Sequence, residues 1–144
     1  MPPRPLILVS ACLAGLQTRY DDKIVDHPRC REALEGCTWI PVCPEQLGGL
    51  PTPRQPCERQ GDRVVGRDGT DLTAQFQKGA EQVTGLALKA GCREAILKAR
   101  SPSCGVGRIY DGTFSGRRIP GHGVLAEALL AAGLSVRTED DPAP

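Results

Sequence analysis

Residues 6–12 read Leu-Ile-Leu-Val-Ser-Ala-Cys, a short apolar run that ends in a serine, an alanine and a cysteine. A continuous apolar run such as residues 6–9 is typical of a parallel strand that is buried on both faces. Proline inside a second apolar run, at Pro41, makes a central position there less favourable, because proline cannot donate a backbone hydrogen bond. In order along the chain, the expected strands are residues 6–9, 39–42, 95–97 and 134–136.

Helical patterns lie between these strands. The clearest covers about residues 72–90, where apolar side chains recur every three or four positions and Asp71 or Thr73 can cap the first turn. Shorter helices are expected at Pro28–Leu34 and at about residues 122–132. Strands that alternate with helices predict an α/β domain of Rossmann-like type, with three layers and a mostly parallel sheet covered on both faces.

Two hairpins are expected outside this sheet. Residues 44–70 are rich in Pro, Gly and Arg and read as a long loop with a small hairpin around residues 63–69. A loop of that length in a compact domain is usually functional. The pair Asp111-Gly112 is a hairpin turn signal, so Arg108–Tyr110 and residues 113–115 are expected to be its two strands.

Length and charge limit the classes of protein. The 144 residues predict a single domain, residues 1–144, with an ordered core of about residues 5–139 and frayed ends at residues 1–4 and 139–144. A net charge of +1 argues against a generic nucleic-acid binder or a binder of anionic membrane surfaces, since both need excess positive charge. No apolar run approaches the roughly 18 residues of a membrane-spanning helix. We therefore expect neither nucleic-acid nor membrane partners; the oligomeric state is not predictable from the sequence.

The chain contains seven cysteines. An odd number is a poor basis for a fully paired disulfide framework, and the apolar run of residues 6–9 is too short for a signal peptide. A cytoplasmic location is the expectation, where thiols stay reduced. Each cysteine is then a small buried hydrophobe, a metal ligand or a catalytic group.

Three cysteines follow strand ends. Cys12 comes after the first strand, Cys43 after the second, and Cys104 follows the third. Because ligands of open α/β sheets bind beyond the carboxyl ends of the strands, these three loops are expected to converge. The other cysteines read as core or surface residues, with Cys57 the least certain because it lies in the long loop; they are Cys30, Cys37, Cys57 and Cys92.

Three thiolates on one metal centre leave a coordination position open, which is the mark of a catalytic site. In an iron–sulfur cluster, three cysteines hold three irons and leave the fourth as a Lewis acid. Glu45 is a candidate acid or base, and Ser101 and Ser103 are candidate hydrogen-bonding groups. Candidate cations for a phosphate or a thiolate cluster are Arg19, Arg54, Lys98 and Arg100.

Several motifs together resemble the thiouracil desulfidase family, over about residues 6–139. They are Val9-Ser10-Ala11-Cys12-Leu13-Ala14-Gly15, Arg19-Tyr20-Asp21, Cys43-Pro44-Glu45, Gly48-Gly49-Leu50, Thr52-Pro53-Arg54, Leu97-Lys98, Ser101-Pro102-Ser103-Cys104-Gly105, Ile109-Tyr110-Asp111-Gly112 and Phe114-Ser115-Gly116.

The resemblance implies a [4Fe–4S] cluster held by Cys12, Cys43 and Cys104, with one iron free of protein ligands. It also implies removal of sulfur from a thiolated pyrimidine without net redox change, and catalytic roles for Glu45 and Ser101. Contacts to the substrate are expected from Ser10, Arg19, Arg54 and Ser103. The substrate is a small thiopyrimidine base or nucleotide: 2-thiouracil, 4-thiouracil and 4-thiouridine monophosphate all remain open.

Two other functions remain open at the level of sequence. The same cysteines would serve an iron–sulfur or zinc-binding regulatory or binding module, which needs no role for Glu45. A metal-free α/β binding protein with buried cysteines is the third hypothesis. Release of sulfide from a thiopyrimidine distinguishes the first reading from the second, and analysis of iron and acid-labile sulfide excludes the third.

Overall fold

The computed structural model describes residues 6–141. Eight strands and four α-helices occur in that part of the chain, with a 3₁₀ turn at Ala11–Ala14. In chain order they are β1 (Leu6–Ser10), α1 (Pro28–Leu34), β2 (Thr38–Val42), α2 (Pro44–Leu47), β3 (Cys57–Gln60), β4 (Arg63–Gly66), α3 (Thr73–Ala90), β5 (Glu94–Leu97), β6 (Arg108–Tyr110), β7 (Arg118–Pro120), α4 (Val124–Ala131) and β8 (Ser135–Thr138).

Four strands form the central sheet in the order β2-β1-β5-β8, and every neighbouring pair is parallel. The predicted α/β architecture with a parallel sheet is therefore confirmed. Strand β2 lies at an edge of the sheet and pairs with β1 alone. Proline is tolerated at such an edge, because a strand there has a neighbour on one side only. Strand β1 is central, which explains why its apolar residues are continuous.

Helices cover both faces of this sheet. On one face, Leu8 of β1 packs with Val83 of α3 and Leu129 of α4, and all three are fully buried. On the other face, Val9 of β1 packs with Leu34 of α1. Burying a side chain of this size contributes about 1.5–3 kcal/mol relative to leaving it in water. Successive side chains of β1 thus pack against helices on opposite faces of the sheet, as the predicted three-layer arrangement requires.

The first predicted hairpin is displaced. Strands β3 and β4 pair antiparallel with Cys57 opposite Gly66, so the turn lies at Gly61 (φ 60°) and not within residues 63–69. The physical reason is burial: Val64 and Cys57 pack together against Phe76 of α3. That contact is distant in sequence and leaves no local pattern.

The second predicted hairpin pairs differently. Strand β6 pairs with β7, at Arg118–Pro120, and residues 113–115 belong to no strand. Asp111 forms a local turn instead, since its Oδ1 accepts the backbone N–H of Thr113 at 2.9 Å. The chain then continues as a loop to Arg117, whose carbonyl accepts the N–H of Asp111.

Residues 1–4 and 142–144 of the predicted frayed ends lie outside the described residues. Glu139, which the sequence placed in a frayed end, is buried with 8% of its surface exposed. Its Oε1 accepts the N–H of Ala99 at 2.7 Å, and its Oε2 lies 2.9 Å from Lys98 Nζ. The prediction for Glu139 was wrong because its partners directly follow β5, which pairs with β8 but is distant from it in the sequence. No helix between residues 6 and 141 has the length and apolar content to cross a bilayer.

Candidate functional site

The carboxyl ends of β1, β2 and β5 open into one cavity of about 450 Å³. A volume of this size is typical of small-molecule sites. All nine residues predicted from the sequence line it: Ser10, Cys12, Arg19, Cys43, Glu45, Arg54, Ser101, Ser103 and Cys104. The expected convergence of the three loops is therefore present in the fold.

Each of the three cysteines lies where regular backbone gives way to a turn. Cys12 is in the 3₁₀ turn that follows β1, and Cys43 precedes α2, a one-turn helix that the sequence did not predict. Cys104 lies in the turn after β5. The first turn of α4 fixes that turn, because the N–H groups of Val124 and Leu125 donate to the carbonyls of Pro102 and Ser103 at 2.9 and 2.8 Å.

Two glycines allow α2 to lie directly against α3. A Cβ on Gly79 would fall 2.8 Å from the carbonyl carbon of Pro44 and closer still to its oxygen. A Cβ on Gly48 would fall 2.9 Å from the carbonyl carbon of Gln75. Because Pro44 stands between Cys43 and Glu45, the absence of a side chain on α3 sets the position of both site residues.

Burial raises the pKa of all three thiols. It raises the pKa of Cys12 to about 11, with Lys98 opposing the shift and the Cys43 thiol adding to it. It raises the pKa of Cys104 to about 12 in spite of hydrogen bonds from Ser10 and Ser103. It also raises the pKa of Cys43, against backbone hydrogen bonds in the first turn of α2. A bound metal centre would displace the thiol protons, since metals bind thiolates.

Polar donors approach two of the sulfurs. Arg54 Nη2 lies 3.8 Å from Cys43 Sγ, and the Ser103 hydroxyl lies 3.5 Å from Cys104 Sγ. None of the cysteines among the described residues forms a disulfide. Between residues 6 and 141, no three His, Cys, Asp or Glu side chains are arranged to hold a single metal ion. The three thiols therefore line one cavity, and none of them is in a disulfide.

Glu45 is held at both oxygens. Arg54 Nε donates to Oε1 at 2.8 Å, and the side chains of this ion pair are only 7% and 13% exposed for Arg54 and Glu45. The Ser103 hydroxyl donates to Oε2 at 3.1 Å. Arg54 is anchored in turn by the carbonyl of Thr18, at 2.9 Å from Nη2. The carboxylate therefore has a defined position in the cavity.

Ser101 is linked to this carboxylate through Ser103. Its Oγ accepts the N–H groups of Ser103 and Cys104 at 3.1 and 3.0 Å, and it lies 3.0 Å from Ser103 Oγ. Two accepted bonds occupy both lone pairs, so the Ser101 hydroxyl proton points to Ser103. Ser103, predicted as a substrate contact, then donates to Glu45. The structure thus links the two serines and Glu45 in one directed chain.

The remaining predicted residues line the cavity with partners of their own. Ser10 Oγ accepts the N–H of Lys98 at 2.9 Å, which joins the ends of β1 and β5. Arg19 forms a two-bond ion pair with Asp21, at 2.9 and 2.7 Å. That pair lowers the pKa of Asp21 to about 2. Both Ser10 and Arg19 line the cavity.

Sequence reasoning missed several lining residues. Cys57, which it left uncertain, lines the cavity, as do Glu58, Arg67 and Phe114. They come from the hairpin β3–β4 and from the loop after β6, the two regions whose pairing was mispredicted. Phe114 belongs to a motif that carried the resemblance, and this was the available signal for it.

Comparisons with known proteins identify the family of this chain. The family model described as 2-thiouracil desulfurase matches residues 7–141. An uncharacterized protein of Bacillus subtilis (strain 168), YbbK, is 38% identical over 146 residues, which cover 94% of this chain and 97% of the relative. A solved structure of the [4Fe-4S]-dependent thiouracil desulfidase TudS superposes with a TM-score of 0.86 at 47% identity, covering 95% of this chain and 92% of that one. The chain belongs to the 2-thiouracil desulfurase family.

Proposed function

We propose that this protein is an iron–sulfur-dependent desulfidase that replaces the sulfur of a thiolated pyrimidine by oxygen. A thiocarbonyl and water give a carbonyl and hydrogen sulfide, with no net oxidation or reduction. The observation that carries the proposal is the convergence of Cys12, Cys43 and Cys104 with the held carboxylate of Glu45 on one cavity. Membership of the family and the likeness to the [4Fe-4S]-dependent thiouracil desulfidase TudS support it.

The donor set fits a [4Fe–4S] cluster with Cys12, Cys43 and Cys104 as its ligands. Thiolate is the ligand that such clusters take, and a donor such as Arg54 Nη2, at 3.8 Å from Cys43 Sγ, is the kind of contact that tunes them. When bound through three cysteines, the cluster supplies an iron with an open position, a soft Lewis acid for a thione sulfur.

Glu45 serves as the general base. The carboxylate accepts from Arg54 at Oε1 and from Ser103 at Oε2, and each oxygen keeps a lone pair that can take a proton from water. Ser101 orients Ser103, and Ser103 orients Glu45, so the serines set the direction of the basic lone pairs. Ser10 and Arg19 complete the wall of the cavity that meets the substrate.

The substrate is a small thiopyrimidine, as a base or a nucleotide. Five cationic side chains line the cavity, and four of them form ion pairs with Asp or Glu: Arg19, Arg54, Lys98 and Arg100. Arg67 has no ion pair among the described residues. A phosphate of 4-thiouridine monophosphate would meet Arg67, whereas 2- and 4-thiouracil need no cation. Nucleic acid and membranes are not among the proposed partners, and the cytoplasm is the proposed location.

The test is sulfide release from 2-thiouracil, 4-thiouracil and 4-thiouridine monophosphate by protein prepared without oxygen. Cys12→Ala, Cys43→Ala and Cys104→Ala should each lose the cluster absorption and the activity together. Cys37→Ala, a cysteine outside the cavity, should keep both. Glu45→Ala should keep the cluster absorption and lose turnover, because the base is gone and the thiols remain.

A wild-type protein that holds the cluster but releases no sulfide from any of the three compounds would support a binding or regulatory module instead. Full activity in any of the three cysteine variants would refute the ligand assignment.

A further inference from the structure

The loop between β6 and β7 brings an aromatic ring to the cavity. Phe114 lies in this loop and lines the cavity together with Arg67. Its backbone has φ 58°, in the left-handed region that bulky residues rarely adopt. A conformation of this kind persists only when the surrounding structure holds it, and it is found preferentially at ligand and active sites.

The group that holds it is a buried carboxylate. Glu58 of β3 is 9% exposed, and its Oε1 accepts the N–H groups of Gly112 and Phe114 at 3.0 and 3.1 Å. Gln60 of the same strand donates from Nε2 to the carbonyl of Gly112 at 2.7 Å. Hydrogen bonds from β3 therefore fix the loop, and the loop positions the ring of Phe114.

A cation covers part of the ring. The guanidinium carbon of Arg67, which follows β4, lies over the ring of Phe114 at 5.7 Å from its centroid. This cation–π contact joins the hairpin β3–β4 to the loop after β6, and both side chains line the cavity. Phe114 lines the cavity and is only partly buried, so ring surface is available to a second flat group.

We propose that Phe114 is a specificity-determining residue on which the pyrimidine ring of the substrate stacks, and that Glu58 is the positioning residue that holds it there. The inference rests on the proposed function and names how that site recognises its substrate. A pyrimidine is flat and aromatic, so a rigid ring selects it over non-planar thiocarbonyl compounds. Phe114 contributes to binding and takes no part in proton transfer, which belongs to Glu45.

Steady-state kinetics of sulfide release test the proposal on the cluster-containing protein. Phe114→Ala should raise KM for 2-thiouracil about 10-fold and change kcat less than about 2-fold, as expected for loss of base stacking. Phe114→Tyr should stay close to wild type, because it keeps the ring. Trp39→Ala removes a half-exposed aromatic outside the cavity and serves as the matched control, with KM unchanged.

The positioning role of Glu58 is tested by a conservative substitution and by a double variant with Phe114. Glu58→Gln should keep KM near wild type, since an amide oxygen can accept the same two N–H groups, whereas Glu58→Ala should raise it. In the Glu58→Ala/Phe114→Ala double variant, KM should not exceed that of Phe114→Ala, because both changes remove one stacking contact. Multiplied effects would overturn the positioning role.

A binding measurement separates this inference from the proposed function. Titration calorimetry with uracil, which needs no turnover, should show about 10-fold weaker binding by Phe114→Ala and unchanged binding by Trp39→Ala. If the wild-type protein releases no sulfide, the proposed function is refuted, but this titration still tests whether Phe114 stacks on the pyrimidine. An unchanged uracil affinity and KM in Phe114→Ala, or a loss confined to kcat, would overturn the proposal.

Discussion

Helix α3 contains a buried glycine that faces α2, Gly79, and a less buried one with open space beside it, Gly85. Substituting each by alanine gives a matched experiment. Alanine in a helix interior is favoured over glycine by about 0.5–1 kcal/mol. At Gly85 a Cβ would meet nothing within 4 Å, so Gly85→Ala should stabilise the protein by that amount. At Gly79 the same propensity gain is opposed by a clash with the carbonyl of Pro44.

The clash outweighs the gain. A Cβ on Gly79 lies 2.8 Å from the Pro44 carbonyl carbon and 3.3 Å from its Cα, and its neighbours are backbone atoms that cannot rotate away. Overpacking of this kind costs about 1–3 kcal/mol, so Gly79→Ala should lose about 1–2 kcal/mol net. The two variants should then differ by about 1.5–3 kcal/mol, or by about 4–10 °C in Tm.

Urea denaturation of the cluster-free protein, followed by circular dichroism, measures the difference in free energy of unfolding. Iron content after anaerobic reconstitution gives a second readout, because Gly79→Ala must push Pro44 outward and with it Cys43 and Glu45. Gly79→Ala should bind less iron and turn over more slowly, and Gly85→Ala should do neither. Equal stability and equal iron content in the two variants would refute the argument that Gly79 positions the site.

Other contacts make equally direct predictions. Arg54→Ala leaves Glu45 buried without its cation and should destabilise the protein by about 3–5 kcal/mol, whereas the Arg54→Ala/Glu45→Ala double variant should lose less than the sum of the two; additive losses in urea would contradict the ion pair. Glu139→Ala leaves the N–H of Ala99 without its acceptor and should lose about 1–3 kcal/mol, while Glu139→Gln keeps an acceptor and should lose less in the same assay. Removal of the cluster by a chelator should lower Tm, because a cluster held by three separate loops can bind only the folded protein. An unchanged Tm would mean that the unfolded chain binds the cluster equally well.

The three-cysteine site was predictable because it follows from strand order. A continuous apolar run marks a buried parallel strand, and parallel strands end at one edge of the sheet, so Cys12, Cys43 and Cys104 had to meet once the runs before them were recognised as strands. Glu45 was predictable for the same reason, because it follows Cys43 closely in the chain.

The hairpins were less predictable because their pairing depends on distant partners. Val64 pairs with Arg59 since both hairpin strands must cover Phe76, and Arg118 pairs with Tyr110 across a loop that no local turn signal marks. Side-chain contacts between residues distant in sequence were equally unpredictable. The ion pair of Glu139 with Lys98 joins residues from the ends of β5 and β8, and nothing near Glu139 in sequence reveals it.

The amino-acid sequence by itself determined the fold class, the family and the set of residues at the strand ends, because each of these depends on local periodicity and on short motifs. Tertiary structure alone decided how those residues act. It placed Arg54 and Ser103 on the two oxygens of Glu45, closed α2 onto α3 at Gly79, and brought Phe114 to the cavity on the carboxylate of Glu58. Hydrogen bonds and close contacts of this kind join residues far apart in the chain, so they exist only when the whole domain has folded.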